Sequence, residues 1–250
     1  MNAKKNIGVI GGGSWATAIV KMLCENVSSV NWWMRNEDSI NHIEMYGNNP
    51  NYISDASLKK SKLCLNSDIN TVVKNSDYLI LSIPSIFLKS VLKNLDIPIK
   101  NKIIISAIKG IVPENNTIVG EFIHNQYDVP YKNIGVITGP CHAEEVALER
   151  LSYLTIACSD VQKAKFVANS ISGRYIKTTV SDDIYGTEYS AVLKNIVALA
   201  SGICHGLGYG DNFQAVLVSN SIREIKRFLD KVHPINRDLK ESAYLGDLLV

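Results

Sequence analysis

Ile7-Gly-Val-Ile10 runs directly into Gly11-Gly12-Gly13, and Ser14 then opens a stretch with apolar residues at helical spacing. No other feature constrains the fold as tightly. Gly11, Gly13 and Ala16 make a G-x-G-x-x-A pattern between a buried strand and a helix. The first glycine permits a tight turn, the second lets backbone approach a pyrophosphate, and a small third residue lets helix and strand pack closely. The helix N-terminus adds free N–H groups and the positive end of its dipole. A purely structural glycine-rich turn is the plain alternative. The strand before it and the helix after it favour a dinucleotide site.

The chain downstream keeps the same alternation. Strands are expected at Val30–Met34, Tyr78–Ile83, Lys102–Ile108, Ile134–Thr138, Tyr153–Ala157 and Tyr175–Thr179, with helices such as Ile86–Leu95 and Val161–Ile171 between them. Asn48–Ser61 is polar, holds Pro50, and reads as a loop. Alternating strands and helices predict an α/β fold, a doubly wound, mostly parallel sheet of Rossmann type. After about Ser181 no further strand is expected. Glu188–His205 and Phe213–Val232 read as long helices, and Arg237–Leu245 as the start of a third. The expected division is a dinucleotide-binding domain over residues 1–182 and a helical substrate domain over 183–250. The apolar end, Gly246–Val250, has no cap or stop signal. A naturally short domain would account for it, but the favoured expectation is that a C-terminal portion is missing.

Composition excludes several classes. Of 250 residues, 46% are hydrophobic and 20% charged, an ordinary globular balance. Lys plus Arg (26) nearly matches Asp plus Glu (24), too even to argue for nucleic acid as partner. The longest mostly apolar run, Ile196–Cys204, falls short of the roughly 20 residues of a membrane span. Lys4 and Lys5 precede an apolar stretch that stops at Gly11, so no signal peptide is expected. Cys24, Cys64, Cys141, Cys158 and Cys204 are scattered and form no metal-like pair, which fits reduced thiols in a cytoplasm and no metal site.

Four residues invite chemistry. Arg35 follows the second strand, where an acid would favour NAD; an arginine there can pair with a 2′-phosphate, although Glu37 stands close by. Lys109 ends a buried strand and either faces the ligand crevice or points into water. Lys194 sits in a helix apolar almost all round. A buried lysine there would need a partner and would suit acid–base work, whereas one at the helix edge would snorkel outward; the two readings weigh about equally. Asp247 could supply the partner carboxylate or be a plain loop acid. Glu144 and Glu145 read as first-turn helix acids, His142 and His205 lack metal-ligand spacing, and Cys141 lacks a visible base.

The segments Ile10-Gly-Gly-Gly-Ser-Trp-Ala-Thr-Ala18, Ser106-Ala-Ile-Lys-Gly-Ile-Val-Pro-Glu114, Gly139-Pro-Cys-His-Ala-Glu-Glu145, Leu193-Lys-Asn-Ile196, Gly206-Leu-Gly-Tyr-Gly-Asp-Asn212 and Gly246-Asp-Leu248 follow one another over nearly the whole chain. In that order and spacing the chain resembles NAD(P)-dependent glycerol-3-phosphate dehydrogenases of the bacterial type. The resemblance implies reversible conversion of dihydroxyacetone phosphate to sn-glycerol 3-phosphate, the backbone of phospholipids, with NADP(H) or NAD(H). It implies that Gly11, Gly13, Ser14, Trp15, Arg35, Lys109 and Ala143 bind the dinucleotide. Lys109, Gly139, Cys141, Lys194, Asn195 and Asp247 would bind substrate, with Lys194 the catalytic acid–base. A homodimer is the assembly considered. Two departures stand out. Cys141 occupies a position where the family usually has Ser or Thr, and a thiol donates hydrogen bonds more weakly. The family's later Thr-Ser and Ser-Arg-Asn motifs have no counterpart before Val250, so poor turnover is expected, and a dinucleotide-binding module without turnover is the competing reading. A hydroxyacid or ketopantoate reductase type is disfavoured by Gly139–Glu145 and Gly206–Asn212.

Overall fold

Ile7–Ile10 form β1, buried on both faces as a parallel strand between helical layers must be. The computed structural model describes residues 5–250, and the reading at Lys4 lies outside them. The chain continues as α1 (Ser14–Asn26), β2 (Val30–Trp33), α2 (Glu37–Tyr46), β3 (Leu63–Asn66), α3 (Ile69–Lys74), β4 (Tyr78–Leu81), α4 (Ser85–Leu92) and β5 (Ile103–Ser106). A small hairpin follows, β6 (Ile111–Val112) and β7 (Thr117–Ile118), then α5 (Val119–Tyr127), β8 (Ile134–Thr138), α6 (Ala143–Ala147), β9 (Ser152–Cys158), α7 (Val161–Ile171) and β10 (Ile176–Ser181). Two long helices close the chain, α8 (Ile184–Gly206) and α9 (Asp211–Val232), before a π-helical turn at Ser242–Gly246.

Eight strands among the described residues form one sheet in the order β10-β9-β8-β5-β4-β1-β2-β3. Every neighbouring pair is parallel except β8 with β9, so the sheet is mostly parallel and doubly wound. β1 pairs with β2 on one side and β4 on the other, Ile7 lying opposite both Val30 and Tyr78. Strand order therefore reverses at β1. In a doubly wound sheet, the ligand crevice opens outside the strand C-terminal ends at such a reversal. One helical layer packs α1 and α7 against the sheet around Ile19, Leu23, Trp32 and Val167. The other face is covered around Leu88, Phe122 and Ile123 of α4 and α5. α1 is buried from Ala16 through Cys24 and includes Lys21, whose ammonium meets Glu149 at 3.2 Å.

The helical part has its own cluster, where Ile225 and Leu229 of α9 meet Tyr244 and Leu248 beside Leu193 and Val197 of α8. The helix expected from Arg237 begins only at the Ser242 turn. Arg237 is instead spent on the buried Asp183, with which it pairs. α8 starts at Ile184, four residues before Glu188, because the Asp183 side chain accepts the Gly186 N–H and caps it. Neither β3 nor the β6–β7 hairpin is among the elements expected from the sequence.

Two glycines of the turn after β1 do different work. Gly11 sits at φ +134°, and a Cβ there would collide with the Ser82 carbonyl oxygen. Gly13 has an ordinary extended backbone at φ −82°, and a methyl group on its Cα would meet nothing within 4 Å. Gly11→Ala is expected to cost at least about 2 kcal/mol, lowering Tm by roughly 4–8 °C. Gly13→Ala should cost under about 1 kcal/mol. Thermal and urea unfolding of both variants measures the difference, and equal losses would contradict this division of roles.

Candidate active site

The Gly-rich turn is held from behind. Trp32, fully buried on β2, donates its indole N–H to the Gly11 carbonyl at 2.6 Å. Asn49, also fully buried, donates to the Gly12 carbonyl at 3.1 Å and to the Thr17 hydroxyl at 2.8 Å. The Thr17 hydroxyl and N–H both donate to the Gly13 carbonyl at 3.0 Å. The carbonyls are thus satisfied on the protein side, while no side chain caps the first turn of α1. An uncapped helix start leaves N–H donors and a positive partial charge for an anion. Trp15, on the same turn, has a buried indole N–H without a hydrogen-bond partner. The uncapped amides, the orphaned Trp15 donor and the open space at Gly13 fit a dinucleotide.

A crevice of about 700 Å³ opens in front of this turn. It is lined by Gly13–Trp15 after β1, Ser82–Ser85 after β4, Ala107–Lys109 after β5 and Cys141–Glu144 after β8, with Lys194, Asn195 and Ala198 of α8 opposite. Four strand ends and one helix converge there because all four strands are parallel and end on the same edge.

The charges gather at its inner end. Asp247, 1% exposed, places Oδ1 2.7 Å from Lys194 Nζ and 3.0 Å from Lys109 Nζ. Its Oδ2 accepts from Lys109 at 3.1 Å and from the Thr138 hydroxyl at 3.3 Å. Burial pulls the Lys109 ammonium below its ordinary value; Asp247 opposes this and the neighbouring Lys194 adds to it. Asp247 is itself anchored. Tyr244, three residues earlier, donates its hydroxyl to Asp183 at 2.7 Å, and Asp183 also accepts from Gly186 at 2.9 Å and from Arg237. Burial alone would raise the Asp183 carboxyl, but these donors outweigh it and hold it below the ordinary carboxylate range. The segment carrying Asp247 is thereby fixed to the start of the helix carrying Lys194.

Most of the residues singled out in the sequence meet here. Gly13, Ser14, Trp15, Lys109, Cys141, Ala143, Lys194 and Asn195 line the crevice, with Asp247 beneath the two lysines. Gly11 lies behind the turn. Gly139 sits at φ +126°, its Cα packed so that a Cβ would lie 2.7 Å from the Tyr153 carbonyl oxygen. Arg35 lies apart from the crevice, in a smaller groove with Trp33, Ser67 and Asp68. Burial pushes the Cys141 thiol up to about 11, which keeps it protonated and a poor nucleophile. Glu144 and Glu145 stand in the first turn of α6. Thr138 is a site residue that sequence reasoning misses, although as the last residue of a strand before Gly139 it holds a position that faces ligands. Trp32 and Asn49 carry no local signal, since their hydrogen bonds to the turn span 21 and 37 residues.

Family models describing the N-terminus and the C-terminus of NAD-dependent glycerol-3-phosphate dehydrogenase match residues 6–164 and 183–250. The chain belongs to the NAD-dependent glycerol-3-phosphate dehydrogenase family. The glycerol-3-phosphate dehydrogenase [NAD(P)+] of Macrococcus caseolyticus is 33% identical over 246 residues, which cover 98% of this chain and 74% of the relative. That of an Exiguobacterium species is 34% identical over 247 residues, covering 98% and 72%. The crystal structure of glycerol-3-phosphate dehydrogenase from Coxiella burnetii superposes with TM-score 0.86 at 25% identity, covering 98% of this chain and 75% of that one. The Plasmodium falciparum glycerol-3-phosphate dehydrogenase superposes with TM-score 0.89 at 26% identity, covering 98% and 72%. D-mandelate dehydrogenase, at 16% identity and TM-score 0.61, shares the fold. In this member of the family, Lys194, Asn195 and Cys141 line the crevice.

Asp247→Asn removes the one carboxylate between two largely buried ammoniums. Breaking such a pair costs about 3 kcal/mol, toward the lower end of the buried range because the Lys109 side chain stays 26% exposed. Urea unfolding at neutral pH measures this loss. It should shrink as the pH rises toward the lysine range, because a neutral amine no longer needs the carboxylate. A loss independent of pH would contradict the ion-pair account.

Proposed function

We propose that this chain catalyses reversible, NAD(P)H-dependent reduction of dihydroxyacetone phosphate to sn-glycerol 3-phosphate, supplying glycerol 3-phosphate for phospholipid synthesis. The observation that carries the reading is the Lys194–Asp247–Lys109 cluster beside the uncapped start of α1 in one crevice. Residues 1–182 form the dinucleotide-binding unit and 183–250 the substrate unit in this reading. The reaction takes place in the cytoplasm, without nucleic acid or a membrane span, in a chain that assembles as a homodimer. Five free cysteines agree with a reducing compartment, and no helix among the described residues is long and apolar enough to cross a membrane.

Gly13, Ser14, Trp15 and Ala143 hold the dinucleotide, with the α1 amides on its pyrophosphate. When bound, the nicotinamide supplies the hydride. Lys194 does the proton chemistry. Its ammonium, with the side chain 12% exposed and fixed by Asp247, faces the ketone oxygen, stabilises the negative charge that develops there and delivers the proton. In the reverse direction the amine takes the proton from the alcohol. Lys109 meets the substrate from the strand side, and Gly139, Cys141 and Asn195 complete the pocket. Asp247 keeps two ammoniums together that would otherwise repel, and lies near the substrate hydroxyls.

Arg35 favours the 2′-phosphorylated cofactor. Glu37, the acid that could have spoken for NAD, accepts instead from the Ser67 hydroxyl at 2.9 Å in the first turn of α2.

Steady-state oxidation of NADPH with dihydroxyacetone phosphate tests the function. Lys194→Ala should leave NADPH affinity nearly intact by calorimetry and lower kcat by about 10²–10⁴-fold. NADPH binding by the wild-type chain with no turnover would favour a dinucleotide-binding module instead. For Arg35, the measured quantity is the ratio of NADPH to NADH affinity. Arg35→Ala should lower it by about 10-fold, the worth of one charge-assisted contact; an unchanged ratio would show that Arg35 does not read the phosphate.

A further inference from the structure

Glu188 lies on α8, six residues before Lys194, and is 1% exposed. Its carboxyl group crosses to the start of α5, where the Gly120 N–H lies 3.2 Å from Oε1 and 3.1 Å from Oε2. The Val119 amide and the Ser106 hydroxyl stand near it and favour its charged form. Ser106 ends β5, and its hydroxyl also accepts the Ile108 N–H at 3.3 Å. Lys109 is the next residue. One carboxyl group on the helix that carries Lys194 therefore binds the helix that starts behind the sheet and stands near the strand end that leads to Lys109. The fit around it is tight, since a Cβ on Gly120 would lie 3.0 Å from Oε2.

The group is costly where it stands. Burial pushes its carboxyl up to about 8, against the opposing pull of the Gly120 and Val119 amides. No ion pair offsets that burial among the described residues. An apolar side chain of similar length would fill the space without this penalty. What an apolar side chain cannot do is accept the Gly120 N–H of α5 while standing beside the Ser106 hydroxyl at the end of β5. Six residues along a helix are about 9 Å, so a shift of α8 at Glu188 moves Lys194 relative to Lys109, and a misplacement of about 1 Å can cost on the order of 10²-fold in rate.

We propose that Glu188 is a positioning residue: by tying α8 to the first turn of α5, beside Ser106 at the end of β5, it sets where Lys194 and Lys109 stand relative to one another. The inference rests on the reading of these two lysines as the reacting machinery. Glu188 touches neither substrate nor cofactor in this account.

The test compares Glu188→Met, which keeps length and packing but removes the acceptors, with Glu188→Gln, which keeps the reach and one acceptor, and with Ser106→Ala, which removes the hydroxyl near Glu188 that also accepts the Ile108 N–H before Lys109. Each full-length chain is assayed for kcat with dihydroxyacetone phosphate, for NADPH affinity by calorimetry, and for Tm. The pH dependence of acetic anhydride labelling at Lys109 and Lys194, read by mass spectrometry, follows the two amines without turnover. Glu188→Met is expected to stay folded with wild-type NADPH affinity, to lose about 10-fold or more in kcat, and to shift the labelling profile of both lysines. Glu188→Gln should recover most of that loss. A folded Glu188→Met with wild-type kcat and labelling overturns the proposal. If Glu188→Met does not fold, Ser106→Ala decides: lowered kcat with shifted labelling supports it, and unchanged values overturn it. If the wild-type chain does not reduce the ketone, the proposed function fails, and the labelling profiles alone decide whether Glu188 sets the two amines.

Discussion

Two lysine ammoniums cannot share a largely buried space unless a carboxylate stands between them, and Asp247 is that carboxylate. Much of the architecture follows from getting it there. Lys109 comes from the end of β5, Lys194 from the middle of α8, and Asp247 from a turn 53 residues after Lys194. Each element needs its own anchor. Lys109 is fixed by a strand inside the sheet. Asp247 is fixed through Tyr244 and Arg237 on Asp183, the residue that caps α8. The cap of the helix and the anchor of the last turn are thus one carboxylate. Gly186 allows this: a side chain there would occupy the space of the Asp183 carboxylate and lie 2.6 Å from the Arg237 Nε.

The other end of the crevice uses backbone rather than side-chain charge. Trp32, Asn49 and Thr17 satisfy the carbonyls of Gly11, Gly12 and Gly13 from behind. The turn then presents its N–H groups outward without needing a lysine to meet a pyrophosphate. This division leaves both lysines at the inner end of the crevice, on Asp247. It also explains why a nearly neutral chain, with a formal charge of +2, can bind a polyanion: the donors are peptide dipoles fixed in place, whose strength does not depend on net charge.

Local pattern reveals what local physics decides. β1 and its glycine turn, β8 at Ile134–Thr138 and α7 at Val161–Ile171 lie where apolar run or helical period places them. β3 is hidden from such reading because it is a half-exposed edge strand, Leu63–Asn66, in a lysine-rich stretch with little apolar run to see. The helix expected from Arg237 fails because a tertiary partner, Asp183, claims that arginine, and no helical period can show it. The site follows the same rule. Lys109 and Lys194 stand out as charges in apolar surroundings, and between burial with a partner and snorkelling outward the structure chooses burial with Asp247. Glu188 is an equally anomalous acid in the same helix. The sequence does not single it out, because its partner, the Gly120 N–H, is 68 positions away and is a backbone group that no charge pattern reveals.

The charge count at the inner end of the crevice bears on the chemistry. Two ammoniums and one carboxylate leave one net positive charge. Reduction of a ketone develops one negative charge on its oxygen. Were Asp247 absent, the two cations would repel, and the burial that already lowers the Lys109 ammonium would lose the carboxylate that opposes it. A second carboxylate in this cluster would leave it neutral and weaken the field that would favour the oxyanion of the proposed reaction. In the proposed reaction, Asp247 orients Lys194 and the cluster leaves one surplus positive charge at the inner end of the crevice. Electrostatic catalysis needs donors fixed before the reaction and aimed at the charge of the transition state. An ammonium clamped at 2.7 Å by a carboxylate that is itself held by Lys109 and Thr138 meets that requirement more nearly than a freely rotating lysine could.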